Sequence, residues 1–194
     1  MARIRKAMDT DLDLEGPHWR FALAIYSQPG VADACLMLQD YLGLDINILL
    51  FATYVTTECN MTVTAQDVEA MDAAVQAWRA ETVVPLRALR RRLKQRFGPL
   101  ESEYAELLRS KVKQTELLAE QIELAMLARW LDERSGNWAS EKVDLSEVLK
   151  RVITHFAKGT YITVGAVALD LDGAVSTLNL AAKSAKSSSI RSSP

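Results

Sequence analysis

The chain has 194 residues, 49% of them apolar and 25% charged, with a formal net charge of −2. That is enough material for one domain with a true core, and so small a net charge excludes a global pull toward nucleic acid or anionic lipid, leaving only local electrostatics. The charged start MARIRKAMDTDLDLEG has no apolar signal region, and the longest greasy run, Ile46–Val55, is roughly half what a membrane-spanning helix needs, so the expectation is a cytoplasmic protein with no membrane contact.

Residues 1–15 read as a polar arm, in which Asp9, Asp11 and Asp13 alternate without the glycine and distal glutamate of a calcium loop. Helical spacing begins at Pro17, with Trp19, Leu23 and Tyr26 four and three apart and Ala22 beside them. SQPG at Ser27–Gly30 breaks the chain, and Pro29 can open the next helix because a first-turn proline loses no intrahelical hydrogen bond. That helix carries Val31, Ala34, Cys35, Leu38 and Leu42 and stops at Gly43. Asp45 then stands where an N-cap belongs, able to accept from the amides of Asn47 or Ile48, with Leu44 and Leu49 spaced as a hydrophobic staple. Asn47 lies in the first turn of an apolar helix and needs a partner, because an unsatisfied buried amide is costly.

The helix from Ile46 runs to about Cys59, and Thr64 with Asp67 forms a capping box before Val68, Met71, Val75 and Trp78. Pro85 should kink or restart this helix, and FGP at Phe97–Pro99 should end it. From Glu101 to about Glu133 there is no Gly or Pro, and Leu108, Val112, Thr115, Ala119, Ile122, Met126 and Trp130 recur at helical spacing, which predicts one long helix with a surface open to self-association. RSGNWAS reads as a loop, and Asp144 with Glu147 opens a helix through Val148, Val152 and Phe156 that stops at Gly159. Thr160–Lys183 begins with β-branched residues and continues at helical spacing, so a short extended piece followed by a helix is expected. The predicted fold is all-α, a single-domain bundle of about six or seven helices over residues 16–183, with a disordered serine-rich tail at 184–194.

Chemistry has few carriers. Cys35 and Cys59 sit in apolar helical contexts without metal or redox spacing and read as reduced thiols. His18 and His155 are the two histidines; Glu15 and His18 spell E-x-x-H, but Gly16 and Pro17 lie between them and no second pair exists, so no metal site is expected. No phosphate loop, nucleophile elbow or zinc motif is present, and nothing assembles into nucleophile, base and oxyanion donors, so neither a cofactor nor a catalytic residue is assigned. An enzymatic reading would require a polar pocket around His18, Asp45 and Asn47.

One feature rises above this background. PLRALRRRLKQRF holds Arg87, Arg90, Arg91, Arg92, Lys94 and Arg96 with no acid among them, while Leu86, Leu89, Leu93 and Phe97 form a stripe that can dock to the core. Arg87, Arg90, Arg91 and Lys94 gather on another face. Like charges so dense need compensation, and two sources are open. Glu101, Glu103, Glu106, Glu116, Glu120 and Glu123 of the long helix could lie alongside if it packs antiparallel, or the face could meet an acidic partner or the phosphates of RNA or DNA. No aromatic residues interleave the arginines, which argues against single-strand base stacking.

HWRFALAIYSQPGVADACLMLQDYLGLDINILLFATYV, VVPLRALRRRLK and LLAEQIELAML together resemble a family of proteobacterial conserved-hypothetical proteins defined by a domain of unknown function. The likeness rests on Trp19–Phe21, Pro29-Gly30-Val31, Asp45-Ile46-Asn47 leading into Leu49–Phe51, and the Pro85-Leu86-Arg87 onset, and covers roughly residues 17–135. It implies a compact, all-helical cytoplasmic protein without a known cofactor and carries no catalytic residue across. The expected function is that of an interaction or adaptor protein presenting Arg87, Arg90, Arg91 and Lys94 to an acidic partner, the alternative being structured RNA or DNA held through phosphates.

Overall fold

The computed structural model describes residues 12–95, 102–134, 143–157 and 170–191, with the backbone alone at 102 and 186–191. Helices α1 (Pro17–Tyr26), α2 (Val31–Leu42), α3 (Ile46–Thr57) and α4 (Ala65–Trp78) are followed by a π-helical turn (Arg79–Val83) and α5 (Val84–Arg92). Then come α6 (Ser102–Glu133), α7 (Leu145–Ala157) and α8 (Leu171–Arg191). The backbone stays helical through Trp78, Arg79, Val83 and Val84, so α4 to α5 is one continuous helix and the described residues form a seven-helix, all-α bundle.

Pro85 restarts the α-helix, as expected: α5 begins at Val84 with the proline in its first turn, while the π-helical turn before it keeps the backbone helical throughout. Its ring would clash with the carbonyl of Glu81 and it donates no hydrogen bond, and the widened turn immediately before it takes up that mismatch. The wider turn carries Arg79 to the polar seam described below.

Helix α3 is the axis of the core. It is apolar around its circumference, as a helix enclosed on all sides must be, and it packs against α1, α4, α6, α7 and α8. Its threonines fit because Thr53, Thr56 and Thr57 each donate 2.8 Å bonds to the carbonyl four residues back. Gly43 closes α2 at φ +63 and its amide donates to the Gln39 carbonyl. Helix α2 begins at Val31 rather than at Pro29, because Gly30 at φ +78 serves as its N-cap. Thr64 and Asp67 form the expected reciprocal capping box. Asp144 accepts from the Ser146 amide at the head of α7, whereas Glu147 reaches forward toward Arg151 instead of back.

Two helical faces differ from their sequence patterns. In α1 the buried side is His18, Phe21, Ala22 and Ile25 with Trp19, while Leu23 and Tyr26 are exposed. In α6 Leu108 and Thr115 face solvent, and the buried line runs through Ala105, Val112, Glu116, Ala119 and Glu123. Helix α8 extends past Lys183 to Arg191, and Ala181, Ala182 and Ala185 supply the helix-forming, core-facing side. Of the expected arm at 1–15, residues 12–15 are described and are tied to α6 by Gln121, which donates to the Leu14 carbonyl at 2.9 Å and to Glu15 at 2.7 Å. Residues 1–11, the FGP stop, the RSGNWAS loop beyond Arg134, the Gly159 stop, the extended piece at 160–169 and residues 192–194 lie outside the described residues. Among the described residues no single helix is long and apolar enough to cross a membrane.

Candidate functional site

Helix α5 lies antiparallel along the N-terminal half of α6. As the numbering rises from Arg87 to Arg90, the partner falls from Glu120 to Glu116, the register that brings the acids alongside. Arg87 donates to Glu116 at 3.2 Å and to Glu120 at 2.7 Å, and Arg90 grips both oxygens of Glu116, one of them at 3.0 Å. Glu116 is buried, and two guanidinium groups on one carboxylate offset the cost of removing that charge from water. Trp78 fastens the seam by donating to the Ala119 carbonyl. Arg91 pairs with Asp40 at 2.7 Å on the surface, where both side chains are about half exposed. Lys94 and Arg92 are exposed and make no ion pair among the described residues, and Arg96 lies outside them. Of the docking stripe, Leu93 is buried, Leu86 half-buried and Leu89 exposed, while Phe97 lies outside the described residues.

A second seam crosses the core. Asp45 caps α3, its Oδ1 accepting from the Asn47 amide at 2.8 Å, while its Oδ2 accepts from Arg79 at 2.7 Å. Arg79 also donates to Asp72 at 2.6 Å, and the other Asp72 oxygen lies 2.8 Å from His155 Nε2. The Asn47 amide finds its partner in Glu123, donating to Oε2 at 2.6 Å. Glu123 is fully buried, and its Oε1 has no partner among the described residues. Burial, reinforced by Asp45 beside it, pushes the Glu123 carboxyl up to about 9, so at neutral pH it carries a proton and is a donor as well as an acceptor. Burial alone would raise Asp72, but hydrogen bonds from His155 and Arg79 outweigh it and hold the carboxyl below its ordinary value.

The trio His18, Asp45 and Asn47 is divided by this arrangement. Asp45 and Asn47 meet at the first turn of α3, whereas His18 packs edge-on toward Tyr54 at the other end, roughly 13 Å of helical rise from Asp45. His18 is buried, and desolvation lowers its pKa despite the nearby Asp13. The polar site is instead Asp45, Asn47, Arg79 and Glu123, continued by Asp72 and His155. Arg79 and Asp72 carry no sequence signal, since each occupies an ordinary helical position. Glu123 is legible only as one of several acids on α6.

Two clefts flank Arg87. One of about 340 Å³ is bordered by Asp45, Glu123, Arg79 and Arg91, and one of about 390 Å³ opens between α1–α2 and α5–α6. Among the described residues no three His, Cys, Asp or Glu side chains converge to hold a metal ion, and Cys35 and Cys59 are free thiols.

These features define an all-α domain held by two charged seams. The chain belongs to the family described as "Protein of unknown function (DUF2390)", whose model matches residues 17–127, a span that contains every member of both seams except His155. No curated protein and no solved structure matches the chain.

Proposed function

We propose that this is a non-enzymatic cytoplasmic interaction protein that presents the outer, basic side of α5 and the adjoining surface of α6 to an acidic protein partner. The observation that carries the reading is the α5–α6 limb itself. Helix α5 has no fully buried residue, and Leu89, Tyr104, Leu107, Leu108 and Leu118 are exposed on the two helices, as are Arg91, Arg92, Lys94 and Lys111. Tyr104, Leu108, Lys111 and Leu118 recur at spacings of four, three and seven and so share one side of α6.

The four basic residues divide the labour. Arg87 and Arg90 are committed to Glu116 and Glu120 and stiffen the limb. Arg91 holds Asp40 in an exposed pair of little net worth and can exchange it for a partner's carboxylate, and Lys94 is unpaired among the described residues. Leucines interspersed with cations suit the apolar face of an acidic helix better than a row of phosphates.

The test is capture from lysate, with and without nuclease, by the wild-type chain and by a variant carrying Arg91→Gln, Arg92→Gln, Lys94→Gln and Leu107→Ser. All four positions are exposed, so circular dichroism should be unchanged. The expected result is a saturable protein partner that survives nuclease treatment and is lost by the variant. Capture that vanishes with nuclease would transfer the surface to nucleic acid, and equal capture by both chains would overturn the reading.

A further inference from the structure

The 390 Å³ cleft lies on the side of α6 opposite Leu108 and Lys111. Around its mouth stand Leu23 at 48% exposure, Tyr26 at 42%, Leu36 at 45% and Leu117 at 48%, over a floor that includes Trp19 and Leu50. Single exposed leucines are ordinary on a protein surface; four large apolar side chains converging on one concavity are the composition of a binding site. They explain why the α1 pattern misleads: Leu23 and Tyr26 have helical spacing because they line this cleft, not because they enter the core.

The remaining wall is charged and preorganised. Glu116 and Glu120 engage Nε and Nη2 of Arg87 and Nε and Nη2 of Arg90 as described above, leaving Nη1 of each guanidinium without a hydrogen bond among the described residues. Lys113 lines the same wall and makes no ion pair there. Three cations thus face two carboxylates, and the surplus is one positive charge beside an apolar trough.

We propose that this cleft binds an amphipathic monoanion, an acyl carboxylate of medium chain length, with its tail against Trp19, Tyr26 and Leu117 and its carboxylate at Lys113 and Arg90. The volume lies near the low end of the range that small-molecule sites occupy, which favours a medium over a long chain. Guanidinium groups already held in place by glutamates lose little freedom on meeting a carboxylate.

The full chain should be titrated calorimetrically with hexanoate, octanoate and decanoate below their micellar concentrations, and with decanol and decyltrimethylammonium as probes of the head group. Saturable 1:1 binding is expected, tightening by up to about fourfold per methylene. Decanoate should bind more tightly than decanol, and decyltrimethylammonium least. Lys113→Glu should weaken decanoate about tenfold or more while leaving decanol unchanged, and Leu117→Asp should abolish both. Both positions are exposed, and circular dichroism checks that each variant is folded. Absence of saturable binding, equal binding of the cationic amphipath, or indifference to Lys113→Glu or Leu117→Asp would overturn the proposal.

Discussion

Replacing Arg79 with leucine is expected to lower the free energy of unfolding by roughly 3–5 kcal/mol, read from urea denaturation. Among the described residues Arg79 is the one cation bound to Asp45, whose side chain is 4% exposed, and it also holds Asp72. Leucine fills part of the volume and can pack against Phe156, which the guanidinium now overlies at 5.7 Å. What it cannot do is neutralise a buried carboxylate that already lies beside Glu123. Removing one partner of a buried pair costs more than the pair itself contributes, because the survivor stays desolvated. Asp45→Asn in the Arg79→Leu background should therefore recover part of the loss, since asparagine keeps the N-cap without the charge. A double-mutant cycle that gives additive effects would show that Arg79 and Asp45 are not coupled.

Glu123→Gln should stabilise the protein at pH 8, raising Tm by about 3 °C or more, and should flatten the dependence of stability on pH. The folded-state pKa of about 9 lies above the ordinary value of 4.5, so the native protein holds a proton that the unfolded chain has released. Stability from this group is thus fully present below about pH 4.5 and declines as pH rises toward 9, beyond which it falls no further. Glutamine reproduces the protonated carboxyl, accepting from Asn47 and donating through its amide, without ever ionising. Glu123→Ala likewise cannot ionise, but it opens a cavity and orphans the Asn47 side-chain amide, so it should be less stable than Glu123→Gln at every pH. Thermal melts from pH 6 to 9 decide the matter: parallel curves for wild type and Glu123→Gln would mean that Glu123 is ionised in the fold.

What the sequence makes legible is local. Asp45 before Asn47 and Ile48, Thr64 three residues before Asp67, and Gly43 after Leu42 each announce a helix end through a cap whose partners are within a few positions, and all three are present. The antiparallel acids were one of two open compensations for the arginine helix, and the register of Glu116 and Glu120 chooses between them for Arg87 and Arg90. The polar core was less visible. Asn47 demanded a partner, yet nothing local names Glu123, which is 76 residues away. Periodicity also failed where a helix has two apolar sides. Leu23 and Tyr26 in α1, and Leu108 in α6, keep helical spacing while facing a cleft or solvent, so the stripe alone could not tell core from surface. Pro85 announces the restart of the α-helix at Val84, but the π turn that precedes it shows only in the packed backbone.

The basic helix is divided: Arg87 and Arg90 are paired with acids of α6, while Arg92 and Lys94 are exposed and make no ion pair among the described residues. Urea unfolding of Arg87→Gln/Arg90→Gln beside Arg92→Gln/Lys94→Gln separates the two groups. The first variant strips the buried Glu116 of both its cations and should lose about 2 kcal/mol or more. The second touches only exposed side chains and should stay within about 0.5 kcal/mol of wild type. Equal stabilities for the two variants would contradict the division and return all of α5's charge to the surface.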